Sequence, residues 1–216
     1  MCRLTPSALL LPALLAALLP APLQADLKTL DWARCGVKGH AKRRIVNGKD
    51  AEECVWRWQV SINSNSYGQF CGGTLIGESW VLTAAHCVAS VKSHCAVRNL
   101  RIRAGAHVRR QDMSHDDHTV ERQVTKVFVH PLYQKNVKHD YDFALLKLDK
   151  AVPLNRCIGT ACLPSENRCG EVETGCSITG WGTLNSQGRT PEVLQEAPVK
   201  VFPTEACEKN YSKTKD

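Results

Sequence analysis

Trp80-Val81-Leu82-Thr83-Ala84-Ala85-His86-Cys87 is the stretch on which the fold turns. An apolar, β-prone run ends here on a histidine that stands next to a cysteine. Cys71 lies 16 residues earlier (87 − 71), inside Phe70-Cys71-Gly72-Gly73-Thr74-Leu75-Ile76. A bridge between the two cysteines would fix the turn that holds His86. A lone histidine is more often a surface or satisfied core residue, and only its surroundings give this one a distinct reading.

Outward from that stretch, short β-rich runs recur on both sides. They include Trp58-Gln59-Val60-Ser61-Ile62, Leu100-Arg101-Ile102-Arg103, Val124-Thr125-Lys126-Val127-Phe128-Val129 and Glu196-Ala197-Pro198-Val199-Lys200-Val201. Gly, Asn, Ser and Pro separate them, which predicts an all-β barrel or sandwich. No helical stripe of useful length and no fixed-period repeat competes with that assignment. A further run, His139-Asp140-Tyr141-Asp142-Phe143-Ala144-Leu145-Leu146-Lys147-Leu148, opens on carboxylates. A carboxylate at the head of an apolar strand becomes partly buried and needs a partner, and an imidazole is one such partner. Asp142 is the stronger candidate, because Asp140 stands two residues further from the apolar run; a strand-capping Asp in a turn is the plainer reading. Downstream, Cys176-Ser177-Ile178-Thr179-Gly180-Trp181-Gly182 is a cysteine-led strand that ends in a Gly-bounded Trp turn.

Composition bounds the function. The chain has 216 residues, 43% of them hydrophobic and 23% charged, so it can bury a core large enough to offset its ordering entropy. Eleven cysteines point to an oxidising compartment and a disulfide framework. The net charge of +7 comes from scattered basic residues, without a basic helix, an aromatic RNA-binding motif or zinc-knuckle spacing, so no nucleic-acid partner is expected. The N-terminus has Arg3, an apolar stretch from Ala8 to Leu19 broken by Pro12, and small residues up to Ala25. That pattern predicts a signal peptide over 1–25 rather than a membrane span, which needs about 20 apolar residues. A polar segment, 26–44, follows and ends in Lys42-Arg43-Arg44, before Ile45-Val46-Asn47-Gly48. A basic cluster before an apolar residue suits a protease cut, or is simply a basic linker.

In this order and at these spacings, the four segments resemble the trypsin/chymotrypsin family of serine proteases, from Ile45 to the last residue. The resemblance implies an all-β fold of two antiparallel six-stranded β-barrels, the first running from about Ile45 to the stretch before Cys162 and the second incomplete. Residues 26–44 resemble the family's propeptide, with an activating cut between Arg44 and Ile45. It implies acyl transfer, with His86 as general base and then general acid, and Asp142 holding the ring in its tautomer. It also implies the bridges Cys71–Cys87 and Cys35–Cys162, the second keeping a cleaved propeptide attached. Cys176 and Cys207 match positions whose family partners would follow residue 216. Cys54, Cys95, Cys157 and Cys169 permit three pairings, among which the sequence does not choose; Cys54 with Cys157, leaving Cys95 with Cys169, is preferred.

The family's nucleophile sits in a Gly-Asp-Ser-Gly-Gly string. None of the chain's twelve serines lies in such a string. The expectation is therefore a secreted zymogen of a serine endopeptidase, truncated before its catalytic serine and inactive as it stands. A non-catalytic homologue, acting as a secreted binding module, is the alternative. Protein or peptide substrates, an activating protease and a protein protease inhibitor are the implied partners; no membrane partner and no cofactor are expected. His107, His115, Asp116, Asp117 and His118 read as a surface loop rather than a zinc site. Gly105 is followed by Ala106 where the family's calcium loop offers a glutamate, so no metal is expected.

Overall fold

Leu100-Arg101-Ile102-Arg103-Ala104 alternates apolar and longer residues, and a pleated backbone sends these to opposite faces. In a computed structural model this segment is strand β5 (Leu100–Ala104), with Leu100, Ile102 and Ala104 buried and the arginines partly exposed. The structure describes residues 35–39, 49–109, 118–164, 175–184, 188–203 and 206. The other strands, in chain order, are β1 (Lys49–Asp50), β2 (Gln59–Ser64), β3 (Gly68–Gly77), β4 (Trp80–Thr83), β6 (Val120–Val129), β7 (Ala144–Leu148), β8 (Cys176–Gly180) and β9 (Gln195–Val199). Two short helices, α1 (Ala85–Val88) and α2 (His94–Arg98), follow β4.

Six of the strands close an antiparallel barrel in the order β2-β3-β4-β7-β6-β5. Closure leaves no unpaired sheet edge in that barrel. Strand β2 is flanked by β3 and β5 and is buried along its whole length. Val60, Ile62, Leu75, Val81, Ile102, Val124 and Leu146 fill the interior. A second sheet has three strands, in the order β1-β9-β8. The fold is thus all-β, with one complete barrel and an incomplete second sheet. Among the described residues, no helix is long and apolar enough to cross a membrane.

The chain divides into two compact units. The larger comprises Leu30–Cys162 and Thr179–Glu196, and it holds the whole barrel. The smaller comprises Met1–Thr29, Leu163–Ile178 and Ala197–Asp216. Its described residues include the exposed Ile178, Val201 and Phe202.

Three disulfides lie in the larger unit: Cys71–Cys87, Cys35–Cys162 and Cys54–Cys157. The preference for Cys95 with Cys169 is not met. Cys95 stands exposed on α2 with a free thiol, because that helix turns it to solvent. Cys169 and Cys207 lie outside the described residues. The short segment 35–39 is held by more than its bridge. Gly36 N–H donates to the Thr160 carbonyl at 2.8 Å, and Gly39 N–H donates to the Val55 carbonyl at 3.0 Å. Arg57 reaches the Val37 carbonyl at 3.3 Å and the Asn155 carbonyl at 2.5 Å.

Candidate active site

Strands β4 and β7 are antiparallel neighbours, with Thr83 opposite Ala144. His86 stands three residues beyond Thr83, and Asp142 stands two residues before Ala144. Both therefore emerge from the same end of one strand pair. The Cys71–Cys87 bridge anchors the residue after His86, and buried Ala85 and Val88 seat α1 on the barrel core. Thr83 Oγ1 donates to the Gly72 carbonyl at 2.8 Å, tying the strand end to β3.

The approach to Asp142 is a series of tight turns. His139 and Tyr141 both take left-handed backbone conformations, with φ of 67° and 49°. Such residues cost energy and persist only where their surroundings hold them. The Tyr141 ring stacks on buried His130, with centroids 4.7 Å apart and planes 4° from parallel. Phe143 N–H closes a three-residue turn on the Tyr141 carbonyl at 2.8 Å, and Asp142 is its middle residue.

The result is a two-point contact. Asp142 Oδ2 lies 2.6 Å from His86 Nδ1, and Asp142 Oδ1 accepts the His86 backbone N–H at 2.8 Å. The second bond also satisfies an N–H in the first turn of α1, which has no side-chain cap of its own. Burial pushes the Asp142 carboxyl up. The ring and backbone hydrogen bonds from His86, with the charges of His86 and His139, outweigh that and hold it below the ordinary carboxylate value. An ionised carboxylate has no proton to donate, so Nδ1 must be the donor. The neutral ring then carries its proton on Nδ1 and leaves Nε2 able to take another. The ring is about half exposed, at 52%, whereas Asp142 is 19% exposed. Water or a reacting group can reach the imidazole while the carboxylate stays shielded.

His86 and Asp142, singled out from the sequence, are thus in contact. Asp140 is not part of this pair; its carboxylate accepts from Asn136 Nδ2 at 2.8 Å on the exposed side of the loop. Arg44 and Ile45 lie outside the described residues, as do His115, Asp116 and Asp117. One neighbour was missed. His139 Nδ1 stands 3.6 Å from Asp142 Oδ2, and its ring lies edge-on to that of His86 at 5.9 Å. Its spacing of three from Asp142 carries no signal in a loop, because the contact depends on left-handed turns at residues that are not glycine.

Comparison with known proteins identifies the family. The trypsin family model matches residues 45–216. Serine proteinase stubble of Drosophila melanogaster is 36% identical over 197 residues, covering 86% of this chain and 24% of that protein. Chymotrypsin-like elastase family member 3B of Homo sapiens is 37% identical over 168 residues, covering 76% of this chain and 60% of that protein. The Macaca mulatta protein of the same name is 35% identical over 177 residues, covering 79% and 65%. The chain spans less than two thirds of each of these curated relatives. The family match nevertheless extends over most of the chain and over both partners of the His–Asp contact, and the chain belongs to the trypsin family.

Proposed function

We propose that residues 45–216 belong to the protease domain of a secreted serine endopeptidase, with 1–25 as signal peptide and 26–44 as propeptide. The activating cut falls between Arg44 and Ile45, made by another protease. Protein or peptide chains are its substrates, and protein inhibitors of proteases are its natural antagonists. The single observation that carries this reading is the two-point contact of Asp142 with the ring and backbone of His86.

In the proposed reaction, His86 Nε2 takes the proton of a serine hydroxyl as that oxygen attacks the peptide carbonyl. Asp142 keeps Nδ1 protonated and stabilises the imidazolium that results. His86 then returns the proton to the leaving amine, and water releases the acyl group in a second round. The 216 residues contain no Gly-Asp-Ser-Gly-Gly string, so this stretch by itself is expected to hydrolyse nothing.

The transcript tests this directly. Reading past the codon for Asp216 is expected to reveal that string, with further cysteines. A stop codon there, with stable protein in the secretion, would favour a secreted binding module instead. In parallel, the 216-residue chain cut after Arg44 is expected to take up no fluorophosphonate. Labelling of any serine overturns its inertness.

A further inference from the structure

We propose that His86, His139 and Asp142 form a site for a divalent transition-metal ion of the zinc type. One ligand atom from each of the three lies within 4.8 Å of those of the other two. Two imidazoles and a carboxylate suit Zn²⁺, Cu²⁺ or Co²⁺, and suit Ca²⁺ or Mg²⁺ poorly. Three protein ligands with a fourth position left to water is the open arrangement of tetrahedral zinc.

The spacing supports this reading. Zinc bonds of about 2.0–2.2 Å put tetrahedral ligand atoms about 3.3–3.5 Å apart. His139 Nδ1 and Asp142 Oδ2 are 3.6 Å apart, too long for a hydrogen bond and close to the separation across an ion. His86 Nδ1 is only 2.6 Å from the same oxygen, too short for both atoms to bind one metal. Occupation therefore requires the His86 ring to turn, or the carboxylate to present its other oxygen. Either movement breaks the two-point contact, so metal binding and the His86–Asp142 hydrogen bond exclude one another. The site is reachable, since His86 is 52% and His139 54% exposed. Cys71 and Cys87 also lie near His86, but their sulfurs are joined in a disulfide and offer no thiolate.

Binding itself stands independently of the protease reading. Its consequence, an ion that takes His86 out of proton transfer, rests on that reading. The test reads binding. The full 216-residue chain, with Cys95 alkylated to remove a competing thiol, is titrated with Zn²⁺ by calorimetry and with Co²⁺ by ligand-field absorption. One ion per chain is expected, with a tetrahedral Co²⁺ spectrum and loss of the His86 Nδ1–H proton resonance. Losing an outer-shell partner of a metal site lowers affinity about 10–100-fold, and losing a ligand should cost at least as much. His139→Ala is therefore expected to weaken Zn²⁺ at least about ten-fold, with its circular dichroism and melting unchanged. His139→Gln serves if the alanine variant does not fold, and His94→Ala, an exposed histidine of α2 outside the three-residue group, is expected to bind as the unsubstituted chain does. Equal affinity in the His139 variants, or a Co²⁺ spectrum that leaves the His86 resonance in place, overturns the proposal. A serine-bearing product that bound zinc but, once stripped of zinc by a chelator, still cleaved no peptide would sink the protease reading and leave the metal site standing.

Discussion

Removal of the two nested disulfides should be more than additive. Cys35–Cys162 spans 127 residues and Cys54–Cys157 spans 103, the second lying inside the first. Loop-closure entropy assigns the inner bridge alone about 4.7 kcal/mol and the outer alone about 4.9. With the inner bridge in place, the outer closes only 19 residues from 35 to 54 and 5 from 157 to 162, 24 in all. A loop of that size is worth about 3.4 kcal/mol, which brings the pair to about 8.1. Loss of either bridge alone should therefore cost about 3.3 kcal/mol, because the other still constrains the unfolded chain. Loss of both should exceed the sum of the single losses by about 1.5 kcal/mol. The assay is urea unfolding of the paired Cys→Ala variants and the four-fold variant, all in the same stabilising osmolyte. Any packing defect left at buried Cys157 enters both the pair and the four-fold variant, and so cancels from the coupling. A four-fold loss equal to or below the summed single losses would refute unfolded-state constraint as their mechanism.

Asp142→Ala should remove the Nδ1–H proton resonance of His86, and in a serine-bearing protein Asp142→Asn should lower kcat by about 10⁴-fold; a resonance that survives the alanine change would mean another group holds the ring. Burial holds His130 below the ordinary histidine value despite the nearby Asp140 charge, so the unfolded state binds the extra proton more readily. Stability from this residue is complete above about pH 6.5 and lost as pH falls through its lower native value, and His130→Phe should flatten urea midpoints measured below about pH 6.5. Gly105 has φ +81°, and an added Cβ would stand 2.5 Å from the His118 carbonyl oxygen, so Gly105→Ala should cost more than about 2 kcal/mol. Leu146→Ala empties a fully buried position between Val81 and Val127, with an expected loss of about 2–5 kcal/mol by denaturant unfolding.

The barrel was legible where apolar runs met turn residues. The runs at Trp80, Leu100 and Phe143 fall on β4, β5 and β7 within a residue or two. Strand β6 begins earlier than its apolar run, at Val120, because Glu121 pairs with Arg103 across the ladder and Arg122 reaches the Ala151 carbonyl. Charge pairing extended a strand that hydrophobic pattern alone would have shortened. The residue types of the site were legible from strings around His86 and Asp142. His139 was not, since nothing local marks a histidine that a left-handed turn folds back on a carboxylate three residues away. The link between Cys54 and Cys157 was one of three options that only three-dimensional proximity could separate.

The pairing of Thr83 with Ala144 has a consequence for biosynthesis. Every residue of the six-stranded barrel lies between Gln59 and Leu148. Once that stretch clears the ribosome, the imidazole and its carboxylate can meet while the rest of the polypeptide is still being made. The two-point contact between His86 and Asp142 can then form co-translationally, from residues that all precede Ala144.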